Sequence, residues 1–187
     1  MRLAPVPEAE VNSSQKPLYD AFIKRIGKNY SSFKAIRDDG ALLGPWGVWL
    51  QVPNTGEAIR QFIEAVESMP GLSKIAAQVA VLVTGAHFNA AYEIYAHAAV
   101  GAQAGLSEEQ IATLCAGKIP ADLDAESTIA AQVASRLLEG GALPAPLFKH
   151  ALTVLGQHGF NHLVYVVGQY CLVSMTLNAF DVPAEES

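Results

Sequence analysis

Charge is scarce in this 187-residue chain: Asp, Glu, Lys and Arg together make up 16% of it, against roughly 25% in ordinary globular domains. So little charge leaves surface unmarked for water, and self-association is the simplest expectation. The net charge of −6 and the absence of any Lys or Arg run remove the electrostatic footprint that a phosphate backbone requires, so no nucleic-acid partner is expected. Long apolar runs are also missing. No stretch reaches the roughly 18 residues of a membrane helix, and the opening MRLAPVPEAEVNSSQKPLYDAF has no apolar core of the signal-peptide kind. These absences predict a cytoplasmic protein with no membrane partner. Cysteine occurs twice, at Cys115 and Cys171, both within apolar helical patterns where a free thiol serves as a small core residue. No CxxC, GxSxG, P-loop or GxGxxG sequence is present, which takes away the main supports for redox-pair, hydrolase and nucleotide-binding readings.

Half of the chain is hydrophobic, arranged with helical rather than alternating periodicity, so the fold class expected is all-α. Residues 1–53 read as an N-terminal extension holding one helix, over 16–26, with Leu18, Phe22, Ile23 and Ile26 on one side. The stretch LGPWGVWL at 43–50 is too apolar for a free loop and is expected to wall a groove or a subunit contact. Residues 54–187 read as a regular helical domain. Asn54 and Glu57 suit a helix start, Pro70-Gly71 a stop, and Ser73 opens a helix so apolar over 75–83 that it must be buried on most sides. Asn89 is expected to cap the next helix, which stops at Gly105. Ser107 and Gln110 then form a capping box, and further helices follow at 125–139, 145–157 and 161–179.

The most informative stretch is HFNAAYEIYAH, residues 87–97. Glu93 and His97 lie four apart, about 40° around a helix, on one face and within reach of each other. A carboxylate beside an imidazole suits general acid/base work, with His97 moving a proton and Glu93 orienting the ring. The same spacing also occurs in ordinary solvated pairs. Tyr92, Ile94 and Tyr95 on the flanking sides argue for burial, where ionisable residues need partners. His87 falls about 80° from His97 and about 120° from Glu93, so a common metal site needs a helix break, and no metal is expected. His158 and His162 repeat the four-residue spacing, but Gly159 and Asn161 between them suggest a helix start.

The run LSKIAAQVAVLVTGAHFNAAYEIYAHAAVGAQAGL, residues 72–106, resembles the signature of the carboxymuconolactone decarboxylase and alkylhydroperoxidase D-like superfamily. There an apolar helix leads to a YEWxxH-type motif and a small-residue helix ending in AGLS; Tyr92, Glu93 and His97 match that motif. Gly44-Pro45-Trp46 resembles the family's GPF-like segment, and the C-terminal LVYVVGQYCLVSMTLNAFDVP its last helix. The resemblance implies an oligomeric helical bundle, a homotrimer or homohexamer. Alignment on His97 places Ala90 and Glu93 where the peroxidase members carry their two cysteines, and Gln78 where they carry a relay glutamate. Thiol peroxidase chemistry therefore does not carry over. The decarboxylase branch works without thiol or cofactor, so the resemblance implies a cofactor-independent lyase acting on a small carboxylic acid or lactone. Glu93 and His97 would be its catalytic residues, and His87, Tyr92 and Trp46 would bind the substrate. Arg37 or Arg60 would supply a cation for an anionic one. Two rival readings stay open: a non-catalytic small-molecule binding protein, and residual peroxide reduction by Cys115 or Cys171.

Overall fold

Burial of one exceptionally apolar helix organises the molecule. The structure is a computed structural model that describes residues 1–30 and 32–184. Among these residues eight α-helices and one short 3₁₀ turn form an all-α bundle. They are α1 (Lys16–Asn29), α2 (Gly44–Trp49), α3 (Pro53–Glu67), α4 (Lys74–Phe88), α5 (Ala91–Ala104), α6 (Glu108–Cys115), α7 (Ala125–Leu138) and α8 (Ala145–Ala179). Ser73 caps α4 by accepting from the Ala76 N–H. Beyond that cap the helix is mostly apolar, with Gln78 and Thr84 as its buried or half-buried polar residues, and α5, α6, α7 and α8 pack around it. Val79, Ala80 and Leu82 are fully enclosed against Ile129, Ala130 and Val133 of α7 and Leu163 of α8.

A second cluster joins the N-terminal segment to this bundle. Leu18, Phe22, Trp46 and Trp49 pack with Tyr92 and Ala96 of α5 and with Val173 and Leu177 of α8. The chain on both sides of residue 53 thus contributes to one apolar layer. The aromatic stretch expected as a loop is instead the short helix α2, buried along its whole length. Pro45 in its first turn fits that start, since a helix leaves its first N–H groups without partners anyway. Gly44, at φ 63°, holds the entry, and a Cβ there would lie 2.3 Å from the Tyr92 ring. The segment between α1 and α2 folds back on itself through a single bridge, Ile36 to Leu42.

Two expected boundaries differ. Asn89 does not start α5 but ends α4, in the left-handed conformation (φ 49°, ψ 43°) that Asn tolerates better than most residues; Ala90 precedes α5. Asn54 lies inside α3, whose first turn is led by Pro53. The Ser107–Gln110 capping box forms in both directions. The last two expected helices are arms of α8, meeting at Gly156, where the backbone (φ 66°, ψ 176°) leaves helical geometry. His158, Gly159 and Asn161 therefore lie within the second arm. No helix among the described residues is long and apolar enough to cross a membrane.

The second arm of α8 is seated by the Pro70-Gly71 turn. A Cβ on Gly159 would stand 2.2 Å from the Gly71 carbonyl oxygen, so two backbones meet there. Gly168, on the same arm, has nothing within 4 Å of a built Cβ. Both substitutions to alanine gain helix propensity, about 1 kcal/mol, but only Gly159→Ala must also displace backbone, at about 1–3 kcal/mol. Thermal melts are expected to move in opposite directions, Gly168→Ala up and Gly159→Ala down by a few degrees. Equal shifts would contradict this seating.

Candidate active site

Helices α4 and α5 form an antiparallel hairpin around Asn89 and Ala90, which brings Gln78 opposite His97. The His97 Nδ1 lies 2.7 Å from the Gln78 Oε1. An amide oxygen only accepts, so Nδ1 carries the ring proton and Nε2 is left as a lone pair. That Nε2 faces the Glu93 Oε1 at 3.4 Å, close but without hydrogen-bond alignment. Glu93 is 3% exposed and His97 7%, and the Glu93 Oε1 has no hydrogen-bond partner. Tyr170 of α8 packs its ring edge-on against the imidazole, with centroids 4.9 Å apart.

Electrostatics follow from this dryness. Burial pushes the Glu93 carboxyl well above the usual carboxylate range and depresses the His97 imidazole to about 3. A buried ion pair must recover the solvation of both ions from good geometry and further hydrogen bonds. Here the approach is long and the carboxyl oxygen receives no other donor. Burial thus disfavours charge on both groups and favours a carboxylic acid next to an imidazole lone pair. Glu93 is the partner expected to orient the ring; in the structure the hydrogen-bond partner of the ring is Gln78, with Glu93 facing the other nitrogen.

Glu93 and His97 open onto a small cavity of about 30 Å³, walled by aromatic residues that include Trp46, Trp49 and Tyr92. That is room for one or two water-sized groups. On its other side His97 borders a larger open groove of about 600 Å³ between α4, α5 and α8. Gln169 and Tyr170 line both spaces and stand as the wall between them.

Of the residues expected at the site, Glu93, His97, Tyr92 and Trp46 line the one cavity. His87 does not: it sits near the end of α4, against Phe88, in a depression shared with Ile119 and Glu139. The helix break that a common site with His97 needs is present at Asn89, yet His87 lines that separate depression and not the cavity. The expected cations are elsewhere too. Arg37 binds Asp39, Arg60 binds Glu57 and Glu64, and neither lines the cavity. Arg25 lines it instead, buried and paired with Glu67 and with the Tyr30 hydroxyl at 3.3 Å. Its signal was an arginine on the apolar stripe of α1, beside Phe22 and Ile26. Gln78 had a signal as well, at the position where the resemblance places a relay glutamate. Cys115 and Cys171 are half-buried against the α4 core, and burial raises both thiols. Neither lines the cavity. Among the described residues no cluster of three or more His, Cys, Asp or Glu side chains could hold a metal ion.

The sequence matches no family model and no curated protein. Its fold is similar to that of the debrominase Bmp8. A cysteine-to-alanine variant of that protein in complex with 2,3,4-tribromopyrrole superposes with a TM-score of 0.74 at 9% identity, over 99% of this chain and 92% of that one. The apo form gives 0.73 at 8% identity, over 97% and 90%. At such identity the likeness is one of fold, here shared with an enzyme.

The two opposed shifts predict a distinctive pH dependence. Glu93 titrates higher folded than unfolded, so its contribution to stability is full below about pH 4.5 and is lost as pH rises through the folded value. His97 titrates lower folded, so its contribution is full above about pH 6.5 and is lost as pH falls toward about 3. Urea midpoints across pH are expected to show the alkaline loss in the native chain and a smaller one in Glu93→Gln. Identical alkaline limbs would mean that Glu93 is ionised in the fold.

Proposed function

We propose that the chain is a cofactor-independent acid/base catalyst of the carboxymuconolactone decarboxylase-like kind, acting on a small carboxylic acid or lactone. The observation that carries this reading is the buried Glu93–His97 pair, its imidazole held by Gln78, at the edge of a small cavity. Such a pair offers one proton and one lone pair side by side where water does not level them. Loss of carbon dioxide from the substrate carboxylate leaves its bonding electrons on carbon. The Glu93 O–H then donates its proton to that carbon, and the resulting Glu93 carboxylate is re-protonated from solvent. His97 keeps its Nδ1–H on Gln78 and turns the Nε2 lone pair toward the carboxyl, so the proton rests on Glu93 between transfers. Proton donation thus falls to Glu93, the reverse of the roles expected from spacing. Arg25 supplies positive charge on the cavity wall, and its offset by Glu67 tempers that charge. The small cavity suits only the reacting end of a molecule, a carboxyl or carbonyl group, and leaves the body of a ring to the groove.

Thiol peroxidase activity has no support in this cavity, which neither cysteine lines. The trimeric or hexameric assembly stays part of the proposal. Val164, Tyr165 and Met175, exposed on α8, are large apolar side chains that a neighbouring copy would cover.

Lactone carboxylic acids incubated with the protein in D₂O and followed by proton NMR test the reading. Turnover or exchange at the carbon next to the carboxyl is expected. Glu93→Gln and His97→Asn should each slow it by at least about 10²-fold, while a Cys115→Ser, Cys171→Ser double variant keeps it. Catalysis that survives Glu93→Gln, or peroxide turnover that depends on the cysteines, would sink the proposal.

A further inference from the structure

The groove outside His97 holds two polar atoms that the fold leaves without partners. His162 is 7% exposed and Gln169 3%, and both line the groove. The His162 Nδ1 and the Gln169 Oε1 are buried and make no hydrogen bond. A buried polar atom left unpaired is costly, so two on one wall of one space call for an occupant that satisfies them. The rest of that wall is mostly apolar, with Val81, Val100 and Val166 among its residues. His162 and Gln169 are seven apart on the second arm of α8, hence on one face and about 10 Å apart along the axis.

We infer that this groove binds the body of a ring-bearing small molecule with a hydrogen-bond donor for Gln169 at one end and a hydroxyl, which can donate or accept, for His162 at the other. The Gln169 oxygen accepts only, so the group facing it is a hydroxyl or an N–H and not a carboxylate. Glu67 on the rim opposes an anion there as well, while Lys74 lies at the outer edge. The spacing excludes neighbouring hydroxyls on one ring edge, which reach a single partner, and selects groups at opposite ends. Gln169 also borders the inner cavity, so a carboxyl or carbonyl carried beside the donor group, and not the donor itself, is what a molecule held this way presents to His97. The inference rests on the acid/base reading in one respect only, that the molecule bound here is the one that reacts.

A binding test separates the two. The probe is 4-(hydroxymethyl)phenol, with its doubly methylated ether as the donor-free control, titrated into the full chain with ¹⁵N-labelled histidine. The diol is expected to bind and to move the His162 Nδ1 resonance, while the ether binds about tenfold more weakly. Gln169→Leu should weaken the diol by about tenfold and leave the ether unchanged. That variant removes a buried orphan acceptor, and the His162 shift in the native chain serves as readout independent of it. Equal affinity for diol and ether, an unmoved His162, or unchanged diol binding in Gln169→Leu would each overturn the site. So would a His162 resonance that follows protein concentration and ignores the diol, which would give the groove to a second copy. Gln169-dependent binding with no proton exchange on any lactone acid would keep the site and reject the catalytic reading; exchange with no Gln169 dependence would do the reverse.

Discussion

Everything distinctive here depends on one constraint: two ionisable side chains on a single turn of α5 are buried between apolar helices without enough partners to stay charged. Glu93 and His97 are almost wholly buried, and Gln78 serves only one ring nitrogen. Burial favours the neutral form of each, which turns a helix-surface spacing into a donor and an acceptor held at close range. The apolar α4 and the α2 layer keep the site dry. Gly44 lets that layer close on Tyr92, and Gly71 and Gly159 let the second arm of α8 come near enough to wall the site with Tyr170.

Much of this arrangement is legible in residue order. Apolar runs without a polar stripe place α4 at the centre, the Ser107–Gln110 box marks α6, and the four-residue spacing puts Glu93 beside His97. What spacing does not reveal is which partner wins. Gln78 reads as a mere loss when compared with a relay glutamate, yet its oxygen fixes the tautomer of His97. Arg25 hides within the stripe of α1, because a helical pattern tolerates one long cation whose stem covers apolar surface. His87 and Asn89 show the opposite failure. Their roles hang on where α4 stops, and a left-handed Asn shifts that end by a few residues without disturbing the hydrophobic period.

The likeness to debrominase Bmp8 extends along nearly the whole chain at 8–9% identity, a separation at which a fold outlives its chemistry. In this chain the thiol route has no footing at the cavity, and the residues that fill it favour proton transfer. The same helical frame also leaves a groove next to the pair, so a molecule larger than the cavity can still present one end to it.

The protonation state of His97 tests the account most directly, through ¹⁵N NMR of the imidazole between pH 5 and 8. Neutrality with the proton on Nδ1 predicts two widely separated ring-nitrogen shifts that stay constant across that range, Nδ1 in the protonated position and Nε2 in the bare one. A ring that titrates near pH 6.5, or one that shows imidazolium shifts at pH 7, would contradict the dry, neutral pair on which the proposed chemistry stands.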